Sequence, residues 1–260
     1  MEKDQIPALE TKRFQRVPIR YLLPNLLTLL ALCSGVTAIR LAVEGRIELA
    51  VSAIILAAVL DGLDGRLARY MKGTSRFGAE LDSLADFVNF GVAPAIMLYF
   101  WSLNSLKTFG WVICLMLAIA CALRLARFNV ALDDPNQPSW VKAYFTGMPA
   151  PAGALLAMAP FYLGFLWDQS GGHAYAKPIA AFVLLIAFLM VSRVPTFSGK
   201  NISRVPREYV LLILAVMALV IVLLVSFPWE TLAIASAIYL VLIPVSVISY
   251  HRRKRATLKD

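Results

Sequence analysis

Charge is scarce in this chain of 260 residues. Only 16% of the residues are Asp, Glu, Lys or Arg, whereas 60% are apolar, and the mean hydropathy is +0.72. A soluble domain has about a quarter charged residues and about half apolar ones, so this chain has more apolar surface than one globular core can bury. The composition excludes a disordered or collagen-like chain and predicts a protein of the lipid bilayer.

Cysteine and histidine are also rare. The chain has two His and three Cys, and Cys33, Cys114 and Cys121 each fall inside an apolar run. No CxxC pair and no mixed cluster of Cys and His occurs, which excludes a zinc site, a thiol redox motif and a disulfide-stapled scaffold. We interpret the three cysteines as small apolar side chains of membrane helices.

Most of the charges that do occur are positive, with 25 Lys and Arg against 16 Asp and Glu. In a membrane protein such an excess sets the topology and attracts anionic lipid, so it does not indicate nucleic-acid binding. No basic groove module of a nucleic-acid-binding protein can be recognised. We therefore expect membrane lipid, and no nucleic acid, as a partner.

Apolar runs of about 20 residues, the length that crosses the hydrocarbon core, occur eight times. They predict transmembrane helices at residues 21–42, 47–71, 77–100, 108–128, 148–167, 178–194, 209–227 and 230–250. The predicted fold class is therefore an all-α polytopic membrane protein. With eight spans, 21 of the 25 cations fall on one side of the bilayer. By the positive-inside rule that side is the cytoplasm, and we expect both termini there.

The same pattern divides the chain into four parts. These are a cytoplasmic arm (1–20), a six-helix core (21–194), two additional transmembrane helices (195–250) and a basic cytoplasmic tail (251–260). We interpret the arm and the tail as solvated topology signals, and docking on anionic headgroups is the alternative.

The chemistry concentrates in one short segment. Asp61 and Asp64 are three residues apart near the end of the second predicted span, and Asp82 and Asp86 are four apart in the third. Each pair therefore shares a helix face. The residues between the spans, 72–75, are typical of a tight turn. The two helices are predicted to form a hairpin that brings the four carboxylates face to face.

An aspartate inside a membrane helix costs about 2.5–3.5 kcal/mol, so four of them need compensation. Arg66 and Arg69 could supply it in a structural salt-bridge cluster. Four carboxylates without His or Cys are more typical of a site for one or two Mg²⁺, Mn²⁺ or Ca²⁺ ions. Two such ions suit in-line displacement at phosphorus. Outside enzymes, the alternative is a cation transporter whose acids bind the permeating ion.

The spacing of these residues resembles the signature of the CDP-alcohol phosphatidyltransferases. The pattern is DxxDGxxAR, then eight residues, then GxxxDxxxD, and every fixed position is filled. Those positions are Asp61, Asp64, Gly65, Ala68, Arg69, Gly78, Asp82 and Asp86. The resemblance covers the six-helix core. It implies a dimeric membrane enzyme that moves a phosphatidyl group from CDP-diacylglycerol to an alcohol and releases CMP.

The resemblance also implies roles for single residues. The four aspartates would hold two Mg²⁺ or Mn²⁺ ions per protomer, and Asp86 would also accept the proton of the attacking alcohol. The residues expected to contact CDP-diacylglycerol are Asn25, Thr28, Gly65, Arg69, Ser75 and Gly78. For Asn25 and Thr28, which lie in a PNxxT stretch, a helix cap and an interhelical hydrogen bond are the alternatives.

The acceptor alcohol has to be inferred from other segments. Residues 124–131, 145–154 and 192–200 all lie on the predicted cytoplasmic side. Together with the eight spans, they resemble the branch of the family that uses serine as acceptor. Arg124, Arg127 and Asn129 are expected to bind this zwitterion, and simple positive-inside anchors are the alternative. The rival acceptor is glycerol 3-phosphate. We expect the active site at the cytoplasmic face of a bacterial or archaeal inner membrane.

Overall fold

The computed structural model describes residues 19–71, 73, 75–132, 144–167, 172–197 and 207–257. Its main elements are α1 (Ile19–Val43), α2 (Ile47–Tyr70), α3 (Arg76–Phe87), α4 (Ala93–Trp101), α5 (Thr108–Leu132), β1 (Tyr144–Thr146), α6 (Ala150–Ala157), α7 (Ala159–Leu166), α8 (Ala176–Val191), β2 (Pro195–Phe197), α9 (Arg207–Ser226) and α10 (Pro228–Thr257). Most of the predicted arm, the last three residues of the tail, and Lys72 and Thr74 of the predicted turn lie outside the described residues.

Six helical stretches among the described residues are long and apolar enough to cross a membrane. They are Leu22–Val43, Arg76–Trp101, Thr108–Val130, Gly172–Val191, Tyr209–Ser226 and Pro228–Tyr250. The chain is therefore an all-α integral membrane protein, as predicted.

The remaining two predicted spans differ from these six for separate reasons. The last turns of α2 contain two Asp and two Arg, which lower its hydropathy. The fifth predicted span is divided into α6 and α7, with a break at Met158. Pro160 explains the break, because proline has no N–H and its ring excludes the carbonyl four residues earlier.

The first hairpin forms the base of the site. A turn at Gly45, which has a φ of +76°, joins α1 to α2, and the two helices pack along their length. Ser34 of α1 donates a hydrogen bond to the Ala53 carbonyl of α2 at 2.8 Å. Buried alanines on both helices, Ala38 and Ala50 among them, are typical of helices that pack closely in a bilayer.

The third predicted span contains an irregularity next to the acidic residues. A π-helical segment, Val88–Val92, connects α3 to α4. Its Asn89 is 1% exposed and packs so closely on α1 that a Cβ at Gly35 would collide with it. Such π-helical turns often occur at functional sites. The segment begins two residues after Asp86 and sets how α4 leaves the site.

The C-terminal part joins the core through α10 rather than α9. α10 packs against α7 and β2, and its Trp229 donates a hydrogen bond to Glu48 of α2 at 3.1 Å. β1 and β2 pair antiparallel, with Tyr144 opposite Phe197. By contrast, none of the residues Tyr209–Ser226 of α9 is buried.

Candidate active site

Three of the four predicted aspartates converge. Asp61 and Asp64 of α2 and Asp82 of α3 each present a carboxylate oxygen, and these oxygens lie within 4.8 Å of one another. The convergence arises because residues three apart share a helix face, and because α2 and α3 both pack against α1. A cation held by all three carboxylates would fit this spacing.

Asp86 joins the same cluster one helical turn deeper in α3. Its carboxyl group is within hydrogen-bonding range of Asp61. One of its oxygens, Oδ1, is buried and has no hydrogen-bond partner among the described residues. Because an unpartnered buried carboxylate oxygen is costly, this atom fits the position of a metal ligand.

No arginine forms a salt bridge with this cluster within the described part of the chain. The two salt bridges found there join Glu44 to Arg40 and to Arg46, at the other end of α1 and α2. Arg66 and Arg69 are exposed and form no ion pair with a described acid. The arrangement does not favour a structural salt-bridge cluster, and it leaves the carboxylates available to cations.

Thr28 links the cluster to the first helix. Its hydroxyl donates a hydrogen bond to Oδ2 of Asp64 at 2.6 Å, and Asp64 is only 3% exposed. The structure thus contains the interhelical hydrogen bond that was the alternative for Thr28. This bond holds one Asp64 oxygen in place and leaves the other oxygen, Oδ1, available to a ligand.

Asn25, Ser75 and Gly78 meet where α3 begins. Ser75 caps this helix by accepting a hydrogen bond from the Gly78 N–H at 3.0 Å. A Cβ at Gly78 would lie 2.8 Å from Oδ1 of Asn25, so any larger residue would displace the Asn25 side chain from this position. Asn25 does not cap a helix, because α1 begins six residues earlier. The three residues form a polar corner at a helix N-terminus, where the dipole favours an anion.

One face of α2 is open beside the carboxylates. Asp61, Gly65 and Arg69 recur every four residues and therefore share a stripe. A Cβ at Gly65 would meet no described atom within 4 Å, and the same is true at Gly62. Neither glycine therefore serves helix packing among the described residues, and the stripe has room for a ligand.

Arg124 is the predicted acceptor residue that lies near Asp86. It is 9% exposed, and its guanidinium group lies 5.3 Å from the centre of the Phe128 ring. It also interacts electrostatically with Asp86. A buried cation beside a buried acid and an aromatic ring is poorly explained as a solvated topology signal.

Arg127 and Asn129 point to other neighbours. Arg127 donates hydrogen bonds to the Val191 and Ser192 carbonyls at 2.7 and 3.3 Å, which satisfies the C-terminus of α8. Asn129 donates to Oγ of Ser83 in α3 at 2.9 Å. The structure therefore does not gather the three predicted acceptor residues at one point.

Sequence reasoning missed one group near Arg124. Tyr239 of α10 interacts electrostatically with Arg124, and the Thr196 side chain of β2 lies near the Tyr239 hydroxyl. Thr196 falls in a segment that the charge pattern singled out. Tyr239 lies in the apolar run of a predicted span, and no pattern in the sequence connects its hydroxyl with the site.

Family models match most of the chain. The CDP-alcohol phosphatidyltransferase model matches residues 21–196. A second model, CDP-alcohol phosphatidyltransferase 2, matches residues 208–244 and extends the likeness to the two C-terminal helices.

Curated relatives cover similar lengths. A CDP-diacylglycerol--serine O-phosphatidyltransferase of Mycobacterium leprae is 38% identical over 90% of this chain and 77% of the relative. The Helicobacter pylori protein of the same name is 34% identical, over 85% and 89%. An archaetidylserine synthase of Methanothermobacter thermautotrophicus is 33% identical, over 70% and 72%. On the length of these matches and the filled aspartate signature, the chain belongs to the CDP-alcohol phosphatidyltransferase family.

Proposed function

We propose that this enzyme transfers the phosphatidyl group of CDP-diacylglycerol to the hydroxyl of L-serine, giving phosphatidylserine and CMP. The observation that carries the proposal is the convergence of Asp61, Asp64 and Asp82 beside a polar corner and an open helix stripe. The names of the three relatives, which specify serine transfer or archaetidylserine synthesis, support serine as the acceptor. Neither glycerol 3-phosphate transfer nor cation transport is favoured by them.

The proposed topology has eight spans with both termini in the cytoplasm. It adds α2 and the pair α6 and α7 to the six described helices that are long and apolar enough to cross a membrane. It is supported by the placement of 21 of the 25 cations on one side. The six-helix unit 21–194 would be catalytic, 195–250 would add two helices, and the active site would face the cytoplasm of a bacterial or archaeal cell.

The four aspartates would hold two divalent cations per protomer. Carboxylate oxygens without His or Cys suit Mg²⁺ or Mn²⁺, and the spacing and the unpartnered Asp86 oxygen fit such ligands. Once bound, the cations would neutralise charge on the diphosphate oxygens during displacement. Homodimer formation, implied by the family resemblance, stays a prediction.

The proposed reaction assigns proton transfer to Asp86. Its carboxylate accepts the proton of the serine hydroxyl, and the serine oxygen forms a bond to the phosphorus that bears diacylglycerol. The bond from this phosphorus to the CMP oxygen breaks, and CMP leaves. Arg69 and the polar corner of Asn25, Ser75 and Gly78 would hold the diphosphate in line for this attack.

Arg124 would bind the serine carboxylate. Its burial and its position near Asp86 support a role beside the reacting oxygen. Arg127 and Asn129 would position α5, because they donate to α8 and α3. The serine hydroxyl could then reach Asp86 while the carboxylate is held on the side of Arg124.

Release of CMP tests the reaction directly. Purified protein with CDP-diacylglycerol and Mn²⁺ or Mg²⁺ should release CMP with serine. Release should stay at background with glycerol 3-phosphate, inositol phosphate or no acceptor. Faster CMP release with glycerol 3-phosphate than with serine would overturn the acceptor assignment. No release with any acceptor would overturn the proposed enzymatic activity.

The variant Asp86→Asn tests the base. A general base contributes about 10²–10⁴-fold to a rate, so turnover should fall by that factor while CDP-diacylglycerol binding remains measurable. Glu80→Gln is the matched control, since Glu80 is an exposed acid of the same helix and should be silent. Near-normal turnover of Asp86→Asn would contradict the assignment.

A further inference from the structure

Tyr239 lies in α10, a helix beyond the six-helix core, yet its hydroxyl points into the protein. The hydroxyl oxygen is buried and has no hydrogen-bond partner among the described residues. Thr196 of β2 is close by, but its single hydroxyl proton is donated to the Gly147 carbonyl at 2.8 Å, so Thr196 does not donate to Tyr239. A buried phenol hydroxyl normally finds a partner, so its lack of one marks a place for a ligand.

The neighbourhood of Tyr239 defines the chemistry of that ligand. Arg124 lies close enough to both Tyr239 and Asp86 to interact with each of them electrostatically. Arginine only donates hydrogen bonds, and the tyrosine hydroxyl can donate one more. A group placed between them therefore accepts hydrogen bonds and carries negative charge.

The packing of α10 keeps this geometry in place. α10 rests on β2, whose Thr196 is 4% exposed, and on α7. At its start, Trp229 donates to Glu48 of α2 and lies against the Phe165 ring with centroids 4.7 Å apart. Tyr239 is thus presented by a helix anchored on the core.

We propose that Tyr239 is a specificity-determining residue for the acceptor, donating a hydrogen bond to the carboxylate that Arg124 binds. This inference rests on the proposed function and gives the last helix a part in it. One arginine and one neutral donor match the single charge of a carboxylate. A phosphate dianion such as that of glycerol 3-phosphate would require more cations.

Tyr239→Phe removes only the hydroxyl and is the direct test. A hydrogen bond to a charged group affects binding by about tenfold or more. The KM for serine should rise by about tenfold, whereas the KM for CDP-diacylglycerol should stay within twofold of the wild-type value. The matched control is Tyr162→Phe, because Tyr162 is a buried tyrosine against α10 whose hydroxyl donates to the Leu155 carbonyl at 3.0 Å. It should change neither KM more than twofold.

A double variant with Arg124→Gln separates ligand binding from packing. If both side chains bind one carboxylate, their effects on the KM for serine will not multiply. A KM for serine within twofold of wild type in Tyr239→Phe, or an equal rise in both KM values, overturns the inference. Multiplicative effects in the double variant also overturn it. If the wild-type protein itself releases no CMP with serine, the proposed function fails first.

Discussion

Two sets of charged side chains in this membrane protein differ in how far they are paired. One set is the carboxylates between α2 and α3, and the other is the arginines near the end of α5. Asp61, Asp64 and Asp82 are gathered within 4.8 Å, and no described cation pairs with them. Arg127, by contrast, already donates to two carbonyl groups. Arg124 lies between these extremes, since it is buried beside a ring and faces Asp86 at longer range.

The difference separates charges kept for ligands from charges kept for the fold. A buried charge without partners is costly, and a stable fold retains it when a bound ligand supplies the missing interaction. A charge already satisfied by backbone groups has little capacity left for a substrate. On this reasoning we propose that the carboxylate cluster binds cations, that Arg124 binds an anion, and that Arg127 holds helices together.

The largest expected effect comes from breaking the carboxylate cluster. Even residues outside the ligand shell of a metal cost about 10–100-fold when changed, so Asp61→Asn should lower turnover by more than about 100-fold. Because it also removes one of several repelling charges, it should raise the thermal unfolding temperature of the protein in EDTA. Turnover and melting of the same preparation measure the two effects.

Glu48→Gln is the control for Asp61→Asn in the same helix. Glu48 is exposed, and its glutamine replacement can still accept the hydrogen bond from Trp229. It should change neither turnover nor melting in EDTA appreciably. If Asp61→Asn melted lower than wild type in EDTA, the view of the cluster as mutually repelling charges would be wrong.

A smaller effect should distinguish the two arginines. Arg124→Gln should raise the KM for serine by about tenfold or more, because a charge-assisted hydrogen bond is lost. Arg127→Gln should instead lower stability by about 1–3 kcal/mol, since carbonyls at the end of α8 lose their donor. KM values and denaturation curves of both variants test this. If Arg127→Gln raised the KM for serine and Arg124→Gln lowered stability, the roles assigned to the two arginines would have to be exchanged.

The fold class and the carboxylate cluster were largely predictable from the sequence. Helical periodicity alone placed Asp61 with Asp64 and Asp82 with Asp86, and the short connection implied that the pairs meet. The all-α membrane class followed from composition. These features depend on local spacing, which a single chain reveals directly.

The acceptor side depended on long-range packing and was less predictable. Arg124 and Arg127 are three residues apart, and the sequence placed them on one face, yet one faces Asp86 and the other reaches α8. The direction of a long side chain depends on its neighbours, here Phe128 and the end of α8. The part played by Tyr239 required knowing that α10 folds back onto β2, which no local pattern indicates.

The smallest expected effect concerns two glycines of the family signature. At Gly65 an added methyl group meets no described atom, so Gly65→Ala should stabilise α2 by about 0.5–1 kcal/mol through helix propensity. If the open stripe binds CDP-diacylglycerol, the same methyl group should raise the KM for that substrate severalfold and leave the KM for serine unchanged. Gly78→Ala is the contrasting variant. Its methyl group would press on Asn25, so it should lose stability as well as substrate affinity. No described atom fills the space beside Gly65, so only a ligand would feel the added methyl group. If Gly65→Ala were more stable but kept the wild-type KM for CDP-diacylglycerol, the substrate would have to bind elsewhere.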